Sequence, residues 1–200
     1  MSLKYPNGQQ RNMTVSRTTN NYHNRGMTLE EDINLTNDYY RVQGRAIIHK
    51  KPTPVQIVKV NYPKRSAAVI TEGYFRQAST TDYNGIYKQR YIDFEAKETK
   101  SETSLPLANF HEHQINHMKE VVQHGAICFI LIRFATFNET FLLNAEKLFT
   151  YWDDQLKGGR KSIPYSAIQQ AGYLIPFRYQ ARVDYLEIID RLYFRSEETS

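Results

Sequence analysis

The sequence predicts an α/β fold, a mixed sheet flanked by helices, and three observations carry that prediction. Thr28 and Glu31 make a capping box ahead of a run in which Leu29, Ile33 and Tyr40 fall near one helical face. From Tyr91 to Glu98 the side chains alternate, with Ile92, Phe94 and Ala96 on one side and Asp93, Glu95 and Lys97 on the other. Ala126 to Phe134 is a continuous apolar run, as expected of a strand covered on both faces.

The remaining elements follow in chain order. Two hundred residues with 40% hydrophobic content are enough for one substantial core, so a single main domain over residues 27–200 is expected. Residues 1–26 have no hydrophobic period and are rich in Asn, Thr and Arg, which predicts a disordered basic N-terminal arm. The helix begun at Thr28 should end near Gly44, followed by a short strand from Ala46 to His49. Pro52 and Pro54 interrupt it before a second extended piece, Val55 to Val60. With three prolines and six cations, the region from about 50 to 80 is expected to form a protruding basic stalk. Thr80 to Tyr87 and Tyr91 to Glu98 read as a hairpin joined by Lys88, Gln89 and Arg90. That loop sets residue 82 opposite residue 96, within about one register step of Glu95. A helix from Asn109 to Gly125 buries Phe110, Met118 and Val121, and after the apolar strand come a strand from Thr140 to Leu143, a helix from Ala145 to Leu156, and a closing helix from Val183 to Phe194.

Composition narrows the function classes. No run approaches the roughly 18 apolar residues that span a bilayer, and the N-terminus lacks a signal-type apolar stretch, so a cytoplasmic protein without a membrane partner is expected. Cys128 is the only cysteine, which leaves neither an intrachain disulfide nor a cysteine-built metal site. The net charge is only +5, but its placement is uneven. Between residues 45 and 76, Arg45, Lys50, Lys51, Lys59, Lys64, Arg65 and Arg76 face the single acid Glu72, and residues 1–26 add Lys4, Arg11, Arg17 and Arg25 with no acid. Such stretches suit a polyanion, and Lys50, Lys51, Lys59, Lys64, Arg65 and Arg76 are the candidate contacts to its phosphates. A solvated charged face is the blander alternative.

The chemistry-bearing residues are Asp82, Glu95 and Lys97. Two converging carboxylates bind a hard cation through oxygen and leave positions for water and phosphate. Such a cation acidifies water and neutralises phosphate charge, and a lysine two residues after the glutamate reaches the same pocket to stabilise developing charge. Gln114 falls where an apolar residue would be buried, so it needs a polar partner, either at such a site or at a half-exposed boundary. Glu30, in the first turn of the first helix, reaches the same site if that helix packs beside the hairpin; otherwise it is a favourable N-terminal charge. His113 and His117 have the four-residue spacing of zinc ligands but lack the glutamate of the His-Glu-x-x-His arrangement. Tyr62, Tyr74 and Phe75 beside the cations could stack on bases or pack the arm.

Longer motifs surround this cluster. They are Asn24-Arg25-Gly26-Met27-Thr28-Leu29-Glu30, His49-Lys50-Lys51-Pro52-Thr53-Pro54-Val55-Gln56-Ile57-Val58, Asn61-Tyr62-Pro63-Lys64-Arg65-Ser66, Ser79-Thr80-Thr81-Asp82-Tyr83-Asn84-Gly85 and Tyr91-Ile92-Asp93-Phe94-Glu95-Ala96-Lys97-Glu98-Thr99-Lys100. Together they resemble the RecU Holliday junction resolvases of Gram-positive bacteria, over the chain from Asn24 to the last helix. The resemblance implies a restriction-endonuclease-like core of the PD-(D/E)xK type, a homodimer, and nicking of two opposing strands at a four-way DNA junction in recombination and repair. It also implies Mg²⁺ as cofactor, with Mn²⁺ as a substitute. The implied metal ligands are Thr80, Asp82, Glu95 and Gln114, with Lys97 stabilising the transition state and Glu30 as a looser carry-over. A stalk that enters the junction and a modulating contact with the strand-exchange recombinase are further implications. The competing readings are a non-catalytic DNA-binding protein and a site-specific duplex endonuclease.

Overall fold

The computed structural model describes residues 27–64, 67–76 and 80–194. The expected arm over 1–26 and the candidate Arg65 lie outside the described residues. The chain divides into two units, one containing Pro52–Ala78 and the other built from Met27–Lys51 and Ser79–Ser200.

The elements are α1 (Leu29–Val42), β1 (Ile47–Lys50), β2 (Val55–Asn61), β3 (Val69–Phe75), β4 (Tyr83–Tyr87), β5 (Arg90–Thr99), β6 (Ser104–Pro106), α2 (Glu112–Gln123), β7 (Ile127–Phe134), β8 (Glu139–Asn144), α3 (Ala145–Leu156), β9 (Ser162–Pro164), α4 (Tyr165–Ala171), β10 (Tyr173–Ile175) and α5 (Tyr185–Ile189). In the larger unit, six strands form one sheet in the order β1-β4-β5-β7-β8-β10. All neighbours are antiparallel except β5 and β7, whose parallel pairing requires the crossover that β6 and α2 supply. The α/β class and the mixed sheet agree with the sequence reading.

Alternation along β7 explains the two helical layers. Ile127, Phe129 and Leu131 pack with Leu29, Ile33, Tyr40 and Tyr185 from α1 and α5. Cys128, Ile130, Ile132 and Phe134 pack with Ile115, Met118, Leu148 and Ile168 from α2, α3 and α4. Every residue of β7 is buried, as its unbroken apolar run predicts. Cys128 is 2% exposed, and burial pushes its thiol well above the ordinary range, which suits an inert core residue.

α1 begins as predicted, with Thr28 capping the Glu31 N–H and Glu31 returning a bond to the Thr28 N–H. It ends before Gly44, whose φ of +64° closes the helix in a conformation that favours glycine. Its buried face carries polar residues that tie it to β7 and to the segment before α5. Asp32 accepts from Arg133 at 2.8 Å and Arg182 at 3.1 Å, and Thr36 accepts the Val183 N–H at 3.1 Å.

Several boundaries differ from expectation, among them the strand expected from Thr80, which begins only at Tyr83. The expected helix at Asn109 is a 3₁₀ turn, Leu107–Asn109, and α2 begins only at Glu112 because extended Phe110 turns its ring into the core. The expected closing helix ends as an α-helix at Ile189 and widens into a π-helical turn over Asp190–Phe194, where Asp190 accepts the Tyr87 hydroxyl at 2.7 Å. The hairpin loop is shorter by one residue. Tyr87 pairs with Arg90, so only Lys88 and Gln89 turn the chain, at φ 43° and 62°. Two consecutive positive φ values match the twist of the flanking strands.

In the smaller unit, β2 and β3 pair antiparallel as a ribbon. β3 has no counterpart in the sequence reading, because all its side chains are exposed and no alternation marks it. The ribbon exposes Val55, Ile57, Val58, Val69, Ile70, Tyr74 and Phe75 to solvent beside Lys59 and Arg76. Tyr74 and Phe75 are thus not core residues of the ribbon.

Candidate active site

The hairpin register decides which residues meet. β4 and β5 pair Tyr83 with Phe94, so the same register carried one step further sets Asp82 opposite Glu95 rather than residue 96. Antiparallel partners project to the same face, which brings the two carboxylates together more directly than the longer loop predicted. Phe94 fixes this register from the opposite face, stacking on Tyr83 at 4.8 Å and on Phe129 at 4.8 Å. Gly85 permits β1 to approach, because a Cβ there would lie 2.1 Å from the Ile47 carbonyl oxygen.

Around Glu95 every oxygen is engaged. Its Oε2 accepts the Asp82 N–H at 3.1 Å, and its Oε1 accepts from Lys97 Nζ at 2.6 Å and Gln114 Nε2 at 2.8 Å. The Asp82 carboxylate lies 3.5 Å from the Ala96 N–H, across the same strand. Lys97 also sits over the Phe110 ring at 5.5 Å. Glu95 is fully buried, Lys97 is 19% exposed, and Asp82 is half-buried at the open side of the cluster.

Burial pushes the Glu95 carboxyl up to about 7, against the pull of the Lys97 ammonium and with a further push from Asp82. Its folded value exceeds the ordinary 4.5, so its contribution to stability is full below about pH 4.5 and is lost as pH rises through about 7. A cation held by Glu95 would compete with that proton. Divalent-cation affinity should therefore rise by up to about tenfold per pH unit below pH 7 and level off above it. Calorimetric Mg²⁺ titrations at about pH 5.5 and about pH 8 check this; equal affinities would contradict it.

The other predicted residues fall in different places. Gln114 is buried against Glu95, as its apolar position required, but its side-chain oxygen accepts the His111 N–H at 3.1 Å and closes the helix cap. Thr80 is half-buried two residues before Asp82, and no hydrogen bond among the described residues joins it to the carboxylates. Glu30 lines a 290 Å³ cavity together with Thr28, Asp82, Tyr83, Ala96 and Glu98, so α1 does pack beside the hairpin. It pairs there with Lys50 at 2.5 Å. Glu98 anchors the start of α1 by accepting the Leu29 N–H at 2.8 Å.

Among the candidate DNA contacts, Lys59, Lys64 and Arg76 are exposed in the smaller unit. Lys51 has a different partner from the expected phosphate. Its ammonium is 3.1 Å from the fully buried carboxylate of Asp93. Sequence parity had placed Asp93 on the face of Glu95 and Lys97 without giving it a role, and Thr81 was missed. His117 Nε2 also meets Asp93, at 3.3 Å, instead of joining His113 in a metal site. Among the described residues no group of three or more His, Cys, Asp or Glu side chains could hold a metal ion.

Two carboxylates, a lysine and an amide gather at the end of the hairpin, side chains of the kind that phosphodiester hydrolysis by a nuclease uses. The sequence profile of the family described as Recombination protein U, RecU, matches residues 24–191. The chain is 60% identical over 198 residues to the Holliday junction resolvase RecU of Geobacillus kaustophilus, covering 97% of this chain and 99% of that one. It is 62% identical to the Oceanobacillus iheyensis protein of that name, over 96% of this chain and 100% of that one, and 54% identical to the Levilactobacillus brevis protein, over 96% and 99%. This chain belongs to the RecU family.

Proposed function

We propose that this chain is a Mg²⁺-dependent endonuclease that resolves four-way DNA junctions by paired nicks, built on a restriction-endonuclease-like core and acting as a homodimer. The observation that carries the reading is the convergence of Asp82 and Glu95, with Lys97 on Glu95, in a chain so similar to junction resolvases. The donor set fits Mg²⁺: two carboxylates supply hard oxygens and leave coordination positions for water and phosphate, the usual arrangement for that ion. Asp82 and Glu95 would hold the ion, with Thr80 and Gln114 as the additional ligands. Bound there, Mg²⁺ supplies Lewis acidity at the phosphate and an acidified water.

The protein's own groups perform the rest. Lys97 stays within 2.6 Å of Glu95 and presents a positive charge where the pentavalent phosphate gathers negative charge. Gln114 holds Glu95 in one orientation through its amide, and Phe94 prevents the strand from slipping register. The cations of the ribbon bind phosphates. A four-way junction has approximate two-fold symmetry, so matched cuts follow from an isologous dimer with one site in each chain.

Neutralising Lys59 and Lys64 should weaken junction binding and reduce the slope of log affinity against log salt by about 0.9 for each phosphate that is no longer neutralised. Titrations over a range of salt concentrations check this, and an unchanged slope would count against phosphate binding at those residues. To test the function, the purified chain is incubated in Mg²⁺ with a mobile four-way junction and with linear duplex of the same sequences. The junction alone should be nicked. Equal cutting of the duplex would favour a duplex endonuclease, and no cutting of either would favour a non-catalytic DNA-binding protein.

A further inference from the structure

Both strand ladders that could hold Asp82 stop one residue short of it. β1 pairs Lys50 with Tyr83, β5 pairs Phe94 with Tyr83, and Asp82 precedes β4. A ligand at the loose end of a strand needs another support, since positions must be held to about 0.5 Å for chemistry. The structure supplies one from residues outside the Asp82, Glu95 and Lys97 cluster.

Lys51 grips the segment twice. Its backbone N–H donates to the Asp82 carbonyl at 2.8 Å, and its ammonium donates to Thr81 Oγ1 at 3.0 Å. The same ammonium meets Asp93 at 3.1 Å, and the Thr81 hydroxyl donates to Asp93. Tyr91 donates its hydroxyl to Asp93 at 3.0 Å, and His117 approaches it at 3.3 Å. Asp93 is fully buried, so a carboxylate with fewer partners would be costly there. On α2, Gln114 meets Glu95 and His117 meets Asp93, so the helix braces two carboxylates that are neighbours on one face of β5.

We infer that Lys51, Thr81 and Asp93 form a positioning device that fixes the Thr81–Asp82 backbone and thereby aims the Asp82 carboxylate at the cation held with Glu95. The inference rests on the metal-dependent reading above. It assigns Asp93 to support rather than to metal binding, since its contacts are made to an ammonium, hydroxyls and an imidazole. It also removes Lys51 from the phosphate contacts.

The test is Ca²⁺ binding by calorimetry with the full chain, using Lys51→Met and Thr81→Val, with thermal unfolding to confirm folding. Removing a positive charge near a cation site strengthens cation binding if charge alone acts. Positioning predicts the opposite sign: both variants should bind Ca²⁺ about tenfold to a hundredfold more weakly, the scale of losing a group that orients a ligand. Thr81→Val changes no charge and nearly preserves shape, so it decides the matter by itself if Lys51→Met does not fold. Unaltered or tighter Ca²⁺ binding in the folded variants overturns the positioning role. So does a loss of junction binding in EDTA by Lys51→Met with Ca²⁺ affinity intact, which would return Lys51 to the DNA contacts. A wild-type chain that takes up no Ca²⁺ overturns the metal-dependent reading itself, and the inference with it.

Discussion

Asp82→Ala or Glu95→Ala should lower junction cleavage by at least about a hundredfold while leaving junction binding in Ca²⁺ within a few-fold of wild type. The proposed function divides the labour between the two units. Asp82 and Glu95 belong to the larger unit, whereas Lys59, Lys64 and Arg76 belong to the smaller, so removing a carboxylate leaves the cations proposed to bind phosphate in place. The two substitutions should still differ in their side effects. Glu95 is buried and receives bonds from Lys97 and Gln114, so its removal strands a half-buried ammonium and a buried amide, and thermal stability should fall. Asp82 is half-buried at the open side, so its removal should cost little stability. Single-turnover cleavage on a labelled junction, beside gel-shift titration, measures both effects. Cleavage at the wild-type rate by either variant would contradict the assigned roles.

Phe94→Ala should destabilise the protein by about 3–5 kcal/mol, the usual cost of emptying a buried phenylalanine site. The ring is fully buried and meets three others, Tyr83 and Phe129 at 4.8 Å and Tyr185 at 5.1 Å. These neighbours come from β4, β7 and α5, so relaxation of any one into the space would move a different part of the fold. Because Phe94 pairs with Tyr83 in the hairpin, its loss also loosens the register that sets Asp82 opposite Glu95. Cation affinity should therefore fall along with stability. Urea unfolding with and without Mg²⁺ separates the two effects. A change under about 1 kcal/mol would mean that the aromatic stack does not hold the hairpin.

The parts of the fold that were legible in the sequence are those whose side chains sort by polarity at a fixed period, form an unbroken apolar run or carry a capping pattern. Alternation in β5 separated Ile92 and Phe94 from Asp93, Glu95 and Lys97, and the structure keeps that division. The capping box at Thr28 and the apolar run of β7 were equally direct. β3 left no such signal, since neither of its faces is buried. The short β6, β9 and β10 have three residues each, too few for a period to appear. The one-residue error in the hairpin arose because Lys88 and Gln89 adopt positive φ without the Asn or Gly that usually marks such a turn.

The candidate site was legible to the same degree. Asp82, Glu95, Lys97 and Gln114 do meet, and strand parity with one out-of-place polar residue was enough to gather them. The Lys51 partnership was hidden by its surroundings. In a segment crowded with cations, nothing in the sequence distinguishes the one lysine that turns inward to Asp93 from its neighbour Lys50, which pairs with Glu30. The signal that could have found it was the surplus acid: Asp93 shares a strand face with Glu95 but has no lysine of its own on that strand.

The most direct test of the central claim is to map the cuts on all four strands of a labelled mobile junction, in Mg²⁺ and separately in Ca²⁺, with wild type and Asp82→Asn. Asp82 and Glu95 as holders of a catalytic Mg²⁺ predict symmetric nicks on two opposing strands with wild type in Mg²⁺, and none in Ca²⁺ or with the variant. Nicks that persist with Asp82→Asn, or that appear without regard to the cation, would contradict it.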